Sequence, residues 1–147
     1  MTATLQRSLI SLLRIFVATL LCAASLLAAA QDGKGGDTIL KDRAAWNSAQ
    51  GKALAEFLNA ARSSDKTTLK RLLVPHQSST LDGPNAGAFL EHLKRSSLDP
   101  NLATFDSLAI NARGSSALAT ISGRYEGGEI TKRYTITKSD AGWWVAI

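Results

Sequence analysis

Ser116-Ala117-Leu118-Ala119-Thr120-Ile121-Ser122-Gly123-Arg124-Tyr125, a turn at Glu126-Gly127-Gly128, then Glu129-Ile130-Thr131-Lys132-Arg133-Tyr134-Thr135-Ile136-Thr137-Lys138 is the stretch that decides the fold. Side chains alternate across a β-strand, so parity assigns the faces. Ala117, Ala119, Ile121, Gly123 and Tyr125 share one side of the first strand, with Leu118, Thr120, Ser122 and Arg124 on the other. In the second, Ile130, Tyr134 and Ile136 oppose Thr131, Arg133, Thr135 and Thr137. One face is mainly apolar and the other rich in threonine and arginine. That is a hairpin in an antiparallel sheet with one side packed and one side wet.

Outward from the hairpin, Thr104–Ala112 and Trp143–Ile147 read as strands on either side, separated from it by Arg113-Gly114 and by Ser139-Asp140-Ala141-Gly142. Short connections make neighbouring strands antiparallel, so the four form a meander. Trp143 and Trp144 are adjacent and point to opposite faces; Trp143, in phase with Val145 and Ile147, is predicted to face the core.

Before the strands the period changes. From Asp42 to Arg62, Trp46, Ala49, Ala53, Leu54, Phe57, Leu58 and Ala61 recur at three- and four-residue steps, the stripe of an amphipathic helix. Gly51 inside that stripe costs about 1 kcal/mol relative to alanine and marks a kink or a close contact. Asp65 is placed to cap a second helix, Lys66–Leu73, which turns Leu69, Leu72 and Leu73 inward and is ended by Pro75. A third, Pro84–Ser96, buries Phe89, Leu90 and Leu93. Helices followed by an antiparallel sheet give the α+β class.

The first thirty residues read as an address. Arg7 and Arg14, no acidic residue, the apolar run Ile15–Ala24 and the small residues Ala28-Ala29-Ala30 are the pattern of a secretory signal peptide, cleaved after Ala30. The apolar stretch is shorter than the roughly 20 residues of a spanning helix. Cys22 lies within it, but Leu21 before it is too bulky for a lipid-attachment motif. Cleavage would remove Arg7, Arg14 and the one cysteine, leaving 117 residues with 15 basic and 12 acidic side chains, a net charge of +3. A cysteine-free domain suits an oxidising compartment, so a periplasmic or secreted protein is expected, with no membrane contact after cleavage. Residues 31–40 read as a flexible, glycine-rich leader and residues 41–147 as a single domain.

Three segments resemble the nuclear transport factor two-like superfamily, with its cystatin-like cone fold: Ala53–Arg62 with Ser63-Ser64-Asp65 and Leu69–Leu73, the hairpin Ser116–Lys138, and Lys138–Val145 with its polar turn before two tryptophans. The likeness implies a curved sheet wrapped around the first helix, with a pocket at the open end. It implies no single activity, because the superfamily includes isomerases, dehydratases, polyketide cyclases, immunity proteins and plain binding modules.

The residues expected to line such a pocket are Phe57, Tyr125, Lys132, Tyr134 and Trp143. Lys132 shares parity with Ile130 and Tyr134. It either stands as a cation at the pocket mouth, favouring an anionic ligand, or reaches water past the end of the helix. An isomerase-like mechanism would need a buried carboxylate facing a tyrosine; Asp106, in parity with Leu108 and Ile110, is the candidate, with Tyr125 or Tyr134. His76 and His92 lack a second ligand at metal-binding spacing and read as surface or capping residues, and no cofactor motif is present. The basic residues are scattered without interleaved aromatics, so no nucleic-acid partner is expected. The preferred expectation is a non-catalytic module that binds a small apolar or amphipathic ligand or a protein partner; an envelope-assembly or inhibitory protein acting through its sheet face, with a possible homodimer through the sheet, is the further alternative.

Overall fold

Ser48 breaks the first helical stretch in two. Its extended backbone (ψ 162°) ends α1, Asp42–Asn47, and begins α2, Ala49–Ser63. The Ser48 hydroxyl donates to the Ala45 carbonyl and accepts from the Gly51 amide, 2.6 and 3.0 Å, so one side chain terminates one helix and caps the next. The break also corrects the stripe: Ala49 is exposed, whereas Ala45 and Gln50 are buried.

The structure, a computed structural model, describes residues 37–125 and 128–147. The signal peptide, its cleavage site, Cys22, the leader up to residue 36 and the turn residues Glu126 and Gly127 lie outside the described residues. The described residues form one compact unit. Among the described residues no helix is long and apolar enough to cross a membrane.

The class is α+β, with five strands rather than four. The extra strand, β1, is Thr38–Leu40, which pairs with Ile110–Leu108 and corrects the reading of residues 38–40 as leader. After α2 come α3, Lys66–Leu72, capped by Asp65 as expected; α4, Pro75–Ser78; a 3-10 turn, Ser79–Asp82; and α5, Ala86–Ser96. Pro75 opens a helix instead of only closing one, because proline at a first helical position loses no hydrogen bond. The strands β2, Thr104–Ile110; β3, Ser116–Tyr125; β4, Gly128–Ser139; and β5, Gly142–Ala146 complete an open antiparallel sheet in the order β1-β2-β3-β4-β5.

Packing follows the faces read by parity. Ala117, Ala119 and Ile121 of β3 and Tyr134 and Ile136 of β4 are buried on one side, against Leu54, Phe57, Leu58 and Ala61 of α2. Each large apolar side chain so buried contributes about 2 kcal/mol. Trp46 of α1 meets Phe105 of β2 edge-on, ring centres 4.4 Å apart. The opposite face carries Leu118, Thr131, Arg133 and Thr135 in the open.

Two tethers bind the helical half to β5. Leu73 bridges Val145 in parallel, with the Val74 amide 3.4 Å from the Val145 carbonyl. The Gln77 side chain donates to the Ile147 carbonyl at 3.0 Å and accepts from the Ile147 amide at 3.4 Å. The outer edge of β5 is thereby covered.

Candidate functional site

Tyr134 faces inward from β4 because it alternates with Arg133 and Thr135, and its ring meets Phe57 of α2 edge-on at 6.0 Å. Burial pushes its hydroxyl up to about 12. Beside this pair, between α5 and the middle of β4, lies a pocket of about 360 Å³. Phe57 and Leu93 supply buried apolar wall, Phe89 a half-buried one. Lys132, Arg133 and His92 border it, Ser96, Ser97 and Ile147 complete the lining, and no Asp or Glu side chain is among them. A wider recess of about 830 Å³ continues along α5 past Glu91 and Arg95 to Tyr125, Ile130 and Thr131, sharing His92, Ser96 and Lys132 with the pocket.

Three of the expected lining residues, Phe57, Lys132 and Tyr134, come together at the pocket, and Tyr125 stands in the adjoining recess. Trp143 does not join them. It is opposite Lys138 next to the β4–β5 turn and packs against the core; because β5 runs antiparallel, Ile147 reaches the pocket and Trp143 lies away from it.

Lys132 is half-buried on the inner face and borders both cavities, with no ion pair within 4 Å among the described residues. His92, read as a surface residue, is exposed yet sits at the junction of pocket and recess. The signal for this wall was present in the spacing Phe89, His92, Leu93, Ser96, one face of a helix; the polar members hid it.

Asp106 corrects the inward parity reading. The ladder between β2 and β3 shifts register between Phe105 and Ser107, so Phe105 and Leu108 are both buried while Asp106 is exposed. A bulge inserts one residue and reverses parity beyond it. The Asp106 carboxylate accepts from the Ser122 hydroxyl at 2.5 Å, and Ser122 in turn lies 2.9 Å from the Thr131 hydroxyl. That trio belongs to the hydroxyl-rich outer face, whereas Tyr134 is buried on the inner one.

Among the described residues no group of three His, Cys, Asp or Glu side chains is close enough to hold a metal ion. Comparison of the chain with protein-family models, curated proteins and solved structures gave no match.

Proposed function

We propose that the domain is a non-catalytic binding module that holds a small amphipathic molecule with an anionic head. One observation carries the reading: an apolar pocket bordered by the side chains of Lys132 and His92 and by no Asp or Glu side chain. A half-buried ammonium group without a partner is costly unless a counter-charge arrives. The apolar wall of Phe57, Phe89 and Leu93 suits a hydrocarbon tail, and the volume falls in the range of small-ligand sites. Two further parts belong to the proposal. Kinship with the nuclear transport factor two-like superfamily, cone included, draws support from α2 packed on antiparallel strands; secretion into the periplasm or medium draws support from the pattern of residues 1–30.

Titration calorimetry with decanoate and decanol, equal in chain length and different in charge, tests the binding reading. Decanoate binds and decanol binds more weakly. Lys132→Met lowers decanoate affinity by about tenfold and leaves decanol unchanged, since a hydrogen bond to a charged group is worth about 1.5–3 kcal/mol. No binding of either molecule at millimolar concentration, or decanoate affinity indifferent to Lys132→Met, overturns it.

A specific observation favours a protein partner as the second reading. On the outer face Ile39, Ala109 and Leu118 stand opposite one another across β1, β2 and β3, and Ile39 and Leu118 are 63% and 47% exposed. An exposed apolar row on a flat sheet is a contact surface in many proteins.

A further inference from the structure

We propose that the chain forms a two-fold dimer by pairing the free edge of β4, Glu129–Arg133, antiparallel with the same segment of a second copy, centred on Thr131. The backbone sets which groups are free. The Lys138 amide donates to the Ser115 carbonyl at 2.8 Å, so Lys138 turns its backbone polar groups toward β3. Alternation along the strand then turns those of Lys132 and Tyr134 toward β3 and those of Glu129, Thr131 and Arg133 the other way. On that side β5 pairs with Thr135–Ser139 only. Among the described residues nothing pairs with Glu129, Thr131 or Arg133 there, which leaves a row of amides and carbonyls of the kind that recruits another strand.

The two outermost strands offer less edge. β5 is covered by Leu73–Gln77, and β1, at the opposite end of the order, has three residues. The open run on β4 is the long one.

Charge selects both the partner and the register. Glu129 and Arg133 are exposed, and neither has an ion pair within 4 Å among the described residues. In an antiparallel pair centred on Thr131, Glu129 lies opposite the partner's Arg133, and Arg133 opposite the partner's Glu129. Moving the centre to Lys132 would set Lys132 against its own copy and lose both pairs; moving it to Ile130 would also lose both. A two-fold contact must be self-complementary, and this five-residue segment is, with opposite charges at its ends and Thr131 in the middle. On the inner face Ile130 then lies opposite the partner's Lys132. Both residue types line the recess beside α5, so the dimer joins two recesses across the axis.

Sedimentation equilibrium on protein purified after expression of the full 147-residue chain tests the contact. Glu129→Arg or Arg133→Glu alone, each placing like charges opposite one another twice, weakens the dimer by about tenfold. The double variant Glu129→Arg/Arg133→Glu restores wild-type association. All four residues involved are on the surface, and circular dichroism checks that each variant is folded. A strict monomer up to about millimolar concentration, where weak specific association is still measurable, overturns the proposal. So does a dimer whose dissociation constant ignores the single reversals, which would place the contact on the outer face. No ligand enters this measurement, so its failure leaves the pocket reading untouched, and the reverse also holds.

Discussion

Tyr134 is where one residue ties core, pocket and pH together. Its hydroxyl ordinarily titrates near 10 and in the folded chain is pushed up to about 12 by burial. Below pH 10 both folded and unfolded chains hold the proton. Between 10 and 12 the unfolded chain releases it first, so folding loses stability as pH rises through that window. The loss amounts to roughly 2 kcal/mol by pH 12. Tyr134→Phe removes this dependence. Urea midpoints measured from pH 8 to 12 should therefore fall more steeply for wild type than for the variant above pH 10; parallel curves would refute the assignment. The inward place of Tyr134 was legible from simple alternation, because nothing interrupts β4 between Ile130 and Ile136. Asp106 was not legible by the same rule. The bulge that reverses its parity is set by how β2 must bend to bury both Phe105 and Leu108, and alternation counts residues without seeing the bend.

Helices are stated in the sequence by their stripes, and their ends by side chains that compete with the ladder. Asp65 was readable as a cap because an oxygen at that spacing accepts from the Thr68 amide, here at 3.1 Å. Ser48 was hidden inside a continuous apolar stripe, and what separates α1 from α2 is a tertiary contact. A Cβ built on Gly51 would stand 1.9 Å from the Ala45 carbonyl oxygen and 2.9 Å from the Trp46 Cα, both backbone atoms of α1. Glycine there permits the first helix to fold back against the second, which in turn sets Trp46 on Phe105. An exposed helix position would gain from Gly→Ala. Here Gly51→Ala must push α1 away, at a cost of about 1–3 kcal/mol by analogy with overpacked cores. Urea denaturation measures it, and a stabilised variant would show that α1 yields freely. The short α4 and the 3-10 turn after Pro75 left little in the sequence to read, since neither is long enough to carry a period.

At the scale of the molecule the helical half and the sheet are joined twice, by the α2 core and by the tethers to β5. The first was legible, since an apolar helix stripe and an apolar sheet face need one another. The second was not, because it rests on an isolated bridge, Leu73–Val145, and on one glutamine that pairs through both of its polar atoms with the backbone of a residue 70 positions away. The pocket was legible in part: its apolar half was predicted through Phe57 and Tyr134, while His92 and Ser96 share helical spacing with Phe89 and Leu93 but were hidden by their polarity. Gln77→Ala separates the tether from the core. Both hydrogen bonds are solvent-exposed, so the loss in global stability is about 1 kcal/mol or less. The local effect is larger. Ile147 is freed from α4 at the border of the pocket, and the β5 edge loses part of its cover. Hydrogen exchange should therefore quicken at the amides of Val145–Ile147 while those of β3 keep their protection. Uniform acceleration across the sheet would mean that Gln77 holds the whole fold; no change at β5 would mean that the Leu73–Val145 bridge alone suffices.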